Sequence, residues 1–156
     1  MDEMSTNSPI TIREHERFMQ RCIELARIAK NRGNTPVGSV VVKGGDIIGE
    51  GMEDAPTGLN LTGHAEIIAC QEAAQYLQSK VLRDTILYTT AEPCFMCSYV
   101  IRQCVVSMVV YGEETPTVGG ITSTMPILID ESLSDWKPTP RTLAGILRED
   151  CRNLKA

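Results

Sequence analysis

The sequence predicts an α/β domain, a mixed sheet with helices packed on it. Three observations carry this: an amphipathic stripe near the N-terminus, two apolar runs joined by a glycine pair, and then alternating helix and strand patterns. A parallel neighbour in a sheet needs a crossover connection, and the later helices supply it.

Residues 1–10 are polar and aperiodic and are read as a disordered tail, leaving 11–156 as one domain. Over 11–31, Phe18, Cys22, Leu25, Ala26 and Ala29 recur at three- and four-residue intervals, and Gly33 stops the helix. Runs 37–43 and 46–52 flank Gly44-Gly45 as a tight hairpin. Residues 53–63 are loop by composition, and 64–80 read as a helix with Ile67, Ile68, Ala74 and Leu77 toward a core and Thr62 as a cap. Strand 85–90, a short helix opened by Pro93, and strand 105–111 follow. After a loop at 113–124, residues 126–129 are expected as a short edge strand and 142–154 as a closing helix.

With 42% hydrophobic and 22% charged residues, the composition is that of an ordinary globular protein and excludes a disordered chain. No apolar run approaches the roughly 20 residues a membrane helix needs, and the first residues resemble no signal segment, so a cytoplasmic protein without membrane contact is expected. The six cysteines are then expected reduced, buried or metal-bound. A net charge of −5 argues against a surface built to hold a polyphosphate backbone; a small neutral or cationic substrate is expected and a nucleic-acid partner is not.

The chemistry lies in His64-Ala65-Glu66 and Pro93-Cys94-Phe95-Met96-Cys97, each at the expected start of a helix. One imidazole and two thiolates suit tetrahedral Zn²⁺, one per subunit, and leave a fourth position for water, as in catalytic sites. Two thiolates neutralise the ion, and the helix N-termini favour their ionised form. Glu66, two residues from His64, does not share its helical face and is therefore read as the proton carrier between water, ring nitrogen and leaving amine, work worth about 10²- to 10⁴-fold. Alone, each half is weak: Cys-x-x-Cys also occurs as a redox pair or a structural half-site. A structural zinc would need a fourth protein ligand from Cys22, Cys70, Cys104, Cys151 or His15, which read as core or surface residues. Together the halves form the signature of zinc deaminases.

At these residues the chain resembles the cytidine and deoxycytidylate deaminase superfamily, especially the branch of guanine deaminase, fungal cytosine deaminase and tRNA adenosine deaminase. The resemblance spans about 18–153 and also rests on Thr35-Pro36-Val37-Gly38, Gly49-Glu50-Gly51, the run 87–94, and Gly145-Ile146-Leu147 with Glu149 and Cys151. It implies a three-layer α/β/α sandwich around a five-stranded mixed sheet, hydrolytic release of ammonia, and a homodimer whose neighbours complete the pocket. It also implies that the Ala65 N–H touches the substrate and that the Ala91 carbonyl receives the departing amino group.

The chain departs from this pattern after Gly51, where an aromatic or similar residue and an asparagine are usual and Met52-Glu53 stands instead. An ionised glutamate only accepts hydrogen bonds, so Glu53 is expected to read an N–H or amino edge of a guanine-, isocytosine- or triazine-like ring; the plain alternative is a solvated loop acid. Asn60 is a further amide in that loop. Val37, Phe95, Met96 and Trp136 are candidate walls for a flat ring. The expected function is deamination of a free amino-heterocycle. The alternatives are a tRNA-specific adenosine deaminase, which the closing Gly145-Ile146-Leu147 segment resembles, and a catalytically silent zinc-stabilised binding module.

Overall fold

Thr11 caps the first helix, its hydroxyl accepting from the Glu14 amide at 3.2 Å. In the computed structural model, which describes residues 9–54, 58–133 and 135–156, this helix is α1 (Ile12–Asn31). There follow β1 (Gly38–Lys43), β2 (Asp46–Met52), α2 (Ala65–Leu77), β3 (Ile86–Ala91), α3 (Phe95–Gln103), β4 (Met108–Glu113), β5 (Arg141–Leu143) and α4 (Arg148–Asn153). Residues 1–8 of the expected tail and 55–57 of the expected loop lie outside the described residues.

The five strands form one sheet in the order β2-β1-β3-β4-β5. β1 pairs antiparallel with β2 and β3, while β4 pairs parallel with β3 and β5. Alternation along the strands divides the core into two layers, because successive side chains leave a strand on opposite faces. Val40, Val42, Tyr88 and Val110 pack with Phe18, Cys22 and Leu25 of α1 and Cys151 of α4. Val41, Leu87 and Val109 pack instead with Ile67 and Cys70 of α2 and Ile101 of α3. The expected three-layer sandwich is therefore the observed one.

The sheet's far edge differs from expectation. Residues 126–129 form a turn, and the fifth strand is Arg141–Leu143. The apolar signal at 126–129 came from Leu128, which is fully buried against the α2–α3 layer, whereas β5 is three residues long and too short to show alternation. The closing helix shrinks to six residues because Gly145 and Leu147 hold φ at +82° and +52°, incompatible with an α-helix running through them.

Candidate active site

Two helix starts meet at the C-terminal ends of β2 and β3. α2 reaches β2 through Gly49 and Gly51: a Cβ on either would overlap α2 backbone, at Ala69 and at Ala65 respectively. The absence of side chains there lets the helix lie directly on the strand, which fixes His64 as its N-cap. α3 begins just after β3, with Cys94 as N-cap and Cys97 in its first turn.

His64, Cys94 and Cys97 converge. His64 Nδ1 lies 3.5 Å from Cys94 Sγ and 3.4 Å from Cys97 Sγ, and the sulfurs are 3.6 Å apart. With bonds of about 2.3 Å to sulfur and about 2.0 Å to nitrogen, a tetrahedral zinc site has edges of about 3.7 Å and about 3.5 Å, so the residues fit the ion. Among the described residues no fourth His, Cys, Asp or Glu joins the group, consistent with an open position. Cys22, Cys70, Cys104 and Cys151 are free thiols elsewhere, and burial pushes each of them up.

A hydrogen bond from the Cys97 thiol, reinforced by the Cys97 and Met96 amides, brings Cys94 down to about 5. Cys97, as the donor and also buried, is pushed up.

Glu66 is 4% exposed, and burial raises its carboxyl to about 8. The negative charges of Cys94 and Glu53 push in the same direction, while a hydrogen bond with the Cys97 side chain opposes them. A carboxyl in this range can both take and release a proton near neutrality.

Residues 12–113 match the cytidine and deoxycytidylate deaminase zinc-binding region. The chain belongs to this deaminase family. It is accordingly a hydrolase of carbon–nitrogen bonds with zinc as its metal, held by a site of which His64, Cys94 and Cys97 are the candidate ligands. The deaminase is 35% identical to the tRNA-specific adenosine deaminase of Streptococcus pyogenes serotype M1, covering 94% of this chain and 84% of that one. Against the Aquifex aeolicus (strain VF5) tRNA-specific adenosine deaminase, identity is 34% over 90% and 95% of the two chains. A solved structure from work on A-to-I editing by tRNA:A34 deaminases superposes with a TM-score of 0.82 at 26% identity, covering 88% of this chain and 98% of that one. Guanine deaminase from Bacillus subtilis gives a TM-score of 0.62 at 40% identity, over 64% of each chain.

These relatives overturn the expectation that nucleic acid is not a partner. The inference from net charge fails physically because the total sums over the whole surface, whereas a polyanion meets only a local patch.

Among the other expected site residues, Ala65 is fully buried as the first residue of α2, and Ala91 ends β3 opposite Glu113. Val37 accepts the Glu53 amide at 3.1 Å, seating Glu53 just beyond β2. Glu53 is 8% exposed, not a solvated loop acid, and its Oε2 stands 3.9 Å from His64 Nε2. Burial pushes this carboxyl up, opposed by the His64 charge and by a hydrogen bond from the Ala65 amide. Phe95 and Met96 begin α3 between the two cysteines, half-buried. Asn60 instead faces its own loop, its Oδ1 accepting from the Thr62 amide and hydroxyl at 3.3 and 3.1 Å. Trp136 stacks on Tyr99 with ring centroids 5.1 Å apart and donates to Gln103 Oε1 at 2.8 Å. Tyr99 is two residues from Cys97, so these contacts lie on a different side of α3 from the metal ligand.

Proposed function

We propose that this deaminase converts an adenosine of a tRNA to inosine by hydrolysis. The observation carrying the reading is identity of about one third, spread over almost the whole chain, to enzymes named for that reaction. The match extends well beyond the zinc motifs into the closing segment, where a resemblance confined to metal binding would have ended.

His64, Cys94 and Cys97 would hold the zinc, which when bound would supply an acidified water, its pKa lowered from 15.7 to about 7. Glu66, buried and able to take and release a proton near neutrality, would accept the proton of the attacking water as a bond forms to the carbon bearing the amino group. It would pass that first proton to the adjacent ring nitrogen and then carry a second, from the newly added hydroxyl, to the leaving amine, which departs as ammonia and leaves a carbonyl, while the Ala91 carbonyl would accept from the departing group. The Ala65 amide, bound to the Glu53 carboxylate in the resting protein, turns to the substrate when the ring enters. The functional unit in this reading is a homodimer, checked by light scattering.

A second reading, deamination of a free guanine- or isocytosine-like base, is favoured by Glu53. Adenine presents its N7 and N3 as acceptors, so an acceptor-only carboxylate beside the ring suits a base with an N–H or second amino group better. The deciding experiment supplies the zinc-loaded protein with an adenosine-containing tRNA anticodon stem-loop and, separately, with free purines and pyrimidines, measuring inosine and ammonia. Inosine formation that disappears in Glu66→Ala is expected. Ammonia from a free base with no inosine would replace the first reading by the second.

A further inference from the structure

Glu92, immediately before the Pro93-Cys94 turn, is 2% exposed, yet its carboxylate does not turn to the helix that carries the zinc ligands. Both oxygens are filled by one loop, the segment 114–122 that follows β4. Oε1 accepts from the Thr115 amide at 2.8 Å and the Thr122 hydroxyl at 2.5 Å; Oε2 accepts from the amides of Ile121 and Thr122 at 2.8 and 2.7 Å. A carboxylate has about four acceptor sites, and here four donors meet them.

The backbone is laced along the same seam. Cys94 bridges Gly119, and the Gly120 amide donates to the Pro93 carbonyl at 2.8 Å, which also accepts from the Ser98 hydroxyl at 3.2 Å. Two glycines of the loop, Gly119 and Gly120, make the tightest approach possible. A Cβ on Gly119 would overlap the Glu92 carboxylate, and one on Gly120 would overlap the Ser98 hydroxyl. Cys94 itself has no side-chain cap on α3. Its position therefore depends on the turn that the Glu92-bound loop grips.

We propose that Glu92 is a positioning residue for the metal turn, fixing Cys94 by tying loop 114–122 across it through four hydrogen bonds. It touches neither metal nor substrate. The inference needs only the zinc site and holds for either substrate reading.

Glu92→Gln keeps the shape but replaces one acceptor oxygen by an NH₂ group that faces donors. Zinc affinity, measured by chelator competition on the folded protein, is expected to fall about 10- to 100-fold, as when a partner of a metal ligand is lost. With cobalt(II) in place of zinc, the thiolate charge-transfer band should shift or broaden. Thr122→Val, which removes one donor and preserves bulk, should move both readouts the same way by less, and remains informative if the first variant fails to fold. Wild-type zinc affinity and an unchanged cobalt spectrum in the folded variant, even with a lowered Tm, would overturn the proposal and leave Glu92 a purely structural residue. Both readouts are independent of substrate, so a mistaken assignment of the base would leave them intact.

Discussion

The two helix starts that carry the candidate metal ligands are held in different ways. His64 is placed by the absence of side chains: Gly49 and Gly51 let α2 lie against β2, and the strand's backbone defines where the helix begins. Cys94 is placed by the presence of one: Glu92 gathers donors from a loop that has no regular structure of its own. The first arrangement depends on packing and tolerates no added volume. The second depends on hydrogen-bond polarity, and is vulnerable to a change of two atoms at constant volume.

The largest effect should come from breaking the first arrangement. Gly51→Ala inserts a methyl group where the Ala65 carbonyl oxygen and the Ala69 amide already stand. Overpacking costs about 1–3 kcal/mol, and contact with backbone, which cannot rotate away, places this case at the upper end. A Tm loss of about 6–12 °C follows for a chain of this size. Because α2 must lift to make room, zinc binding should weaken in parallel. In Glu92→Gln the metal should be lost out of proportion to stability. A calorimetric Tm and a chelator titration on both variants separate the mechanisms; equal ratios of metal loss to Tm loss would show that the two starts are held alike.

The same contrast explains what sequence reading recovered. The strand alternation at 37–43, the glycine hairpin and the spacing of His64 to Cys94 and Cys97 are local patterns, and the sandwich and metal group followed from them. β5 and the true extent of α4 were missed because positive φ at Gly145 and Leu147 and a three-residue edge strand leave no periodic trace. Glu92 lay inside a quoted motif, and Thr122 had no assigned role, since their partnership spans 30 residues of chain. Arg102 was missed for the same reason. It is 1% exposed, and its guanidinium donates to the carbonyls of Ile127 and Lys137 at 2.7 and 2.9 Å, holding the rest of that irregular segment to α3. Buried charges that organise loops satisfy themselves at long range and leave no local pattern in the sequence.

Glu66 joins the two starts, riding on α2 and meeting Cys97 of α3. Its folded pKa of about 8 against an ordinary 4.5 means that ionising it in place destabilises the metal-free protein. The favourable contribution is complete below pH 4.5 and is lost as pH rises through about 8. Metal-free Glu66→Gln should therefore match wild type in Tm at pH 4.5 and exceed it by several degrees at pH 8.5. With zinc restored, the variant should bind metal and lose about 10²- to 10⁴-fold in turnover. A Tm difference that did not grow with pH would mean that the buried carboxyl is not what strains this junction.

Glu53 is the finest probe, because it lies beside His64 and the Ala65 amide at the start of α2. Glu53→Asn supplies a donor as well as an acceptor on a side chain one methylene shorter and should leave the fold unchanged. Its effect falls on substrate preference. Gaining one hydrogen bond of matched polarity is worth about 0.5–1.5 kcal/mol, so the ratio of turnover on adenosine to turnover on a donor-edged base should rise by about 2- to 10-fold. The ratio of kcat/KM values for the tRNA stem-loop and for guanine, measured in both proteins, reads this directly. An unchanged ratio would remove Glu53 from base recognition and leave its carboxylate as the partner of His64 Nε2. That outcome would make the α2 start, like the α3 start, dependent on a buried acid that organises a metal ligand, and the contrast between the two would narrow to how each acid is held.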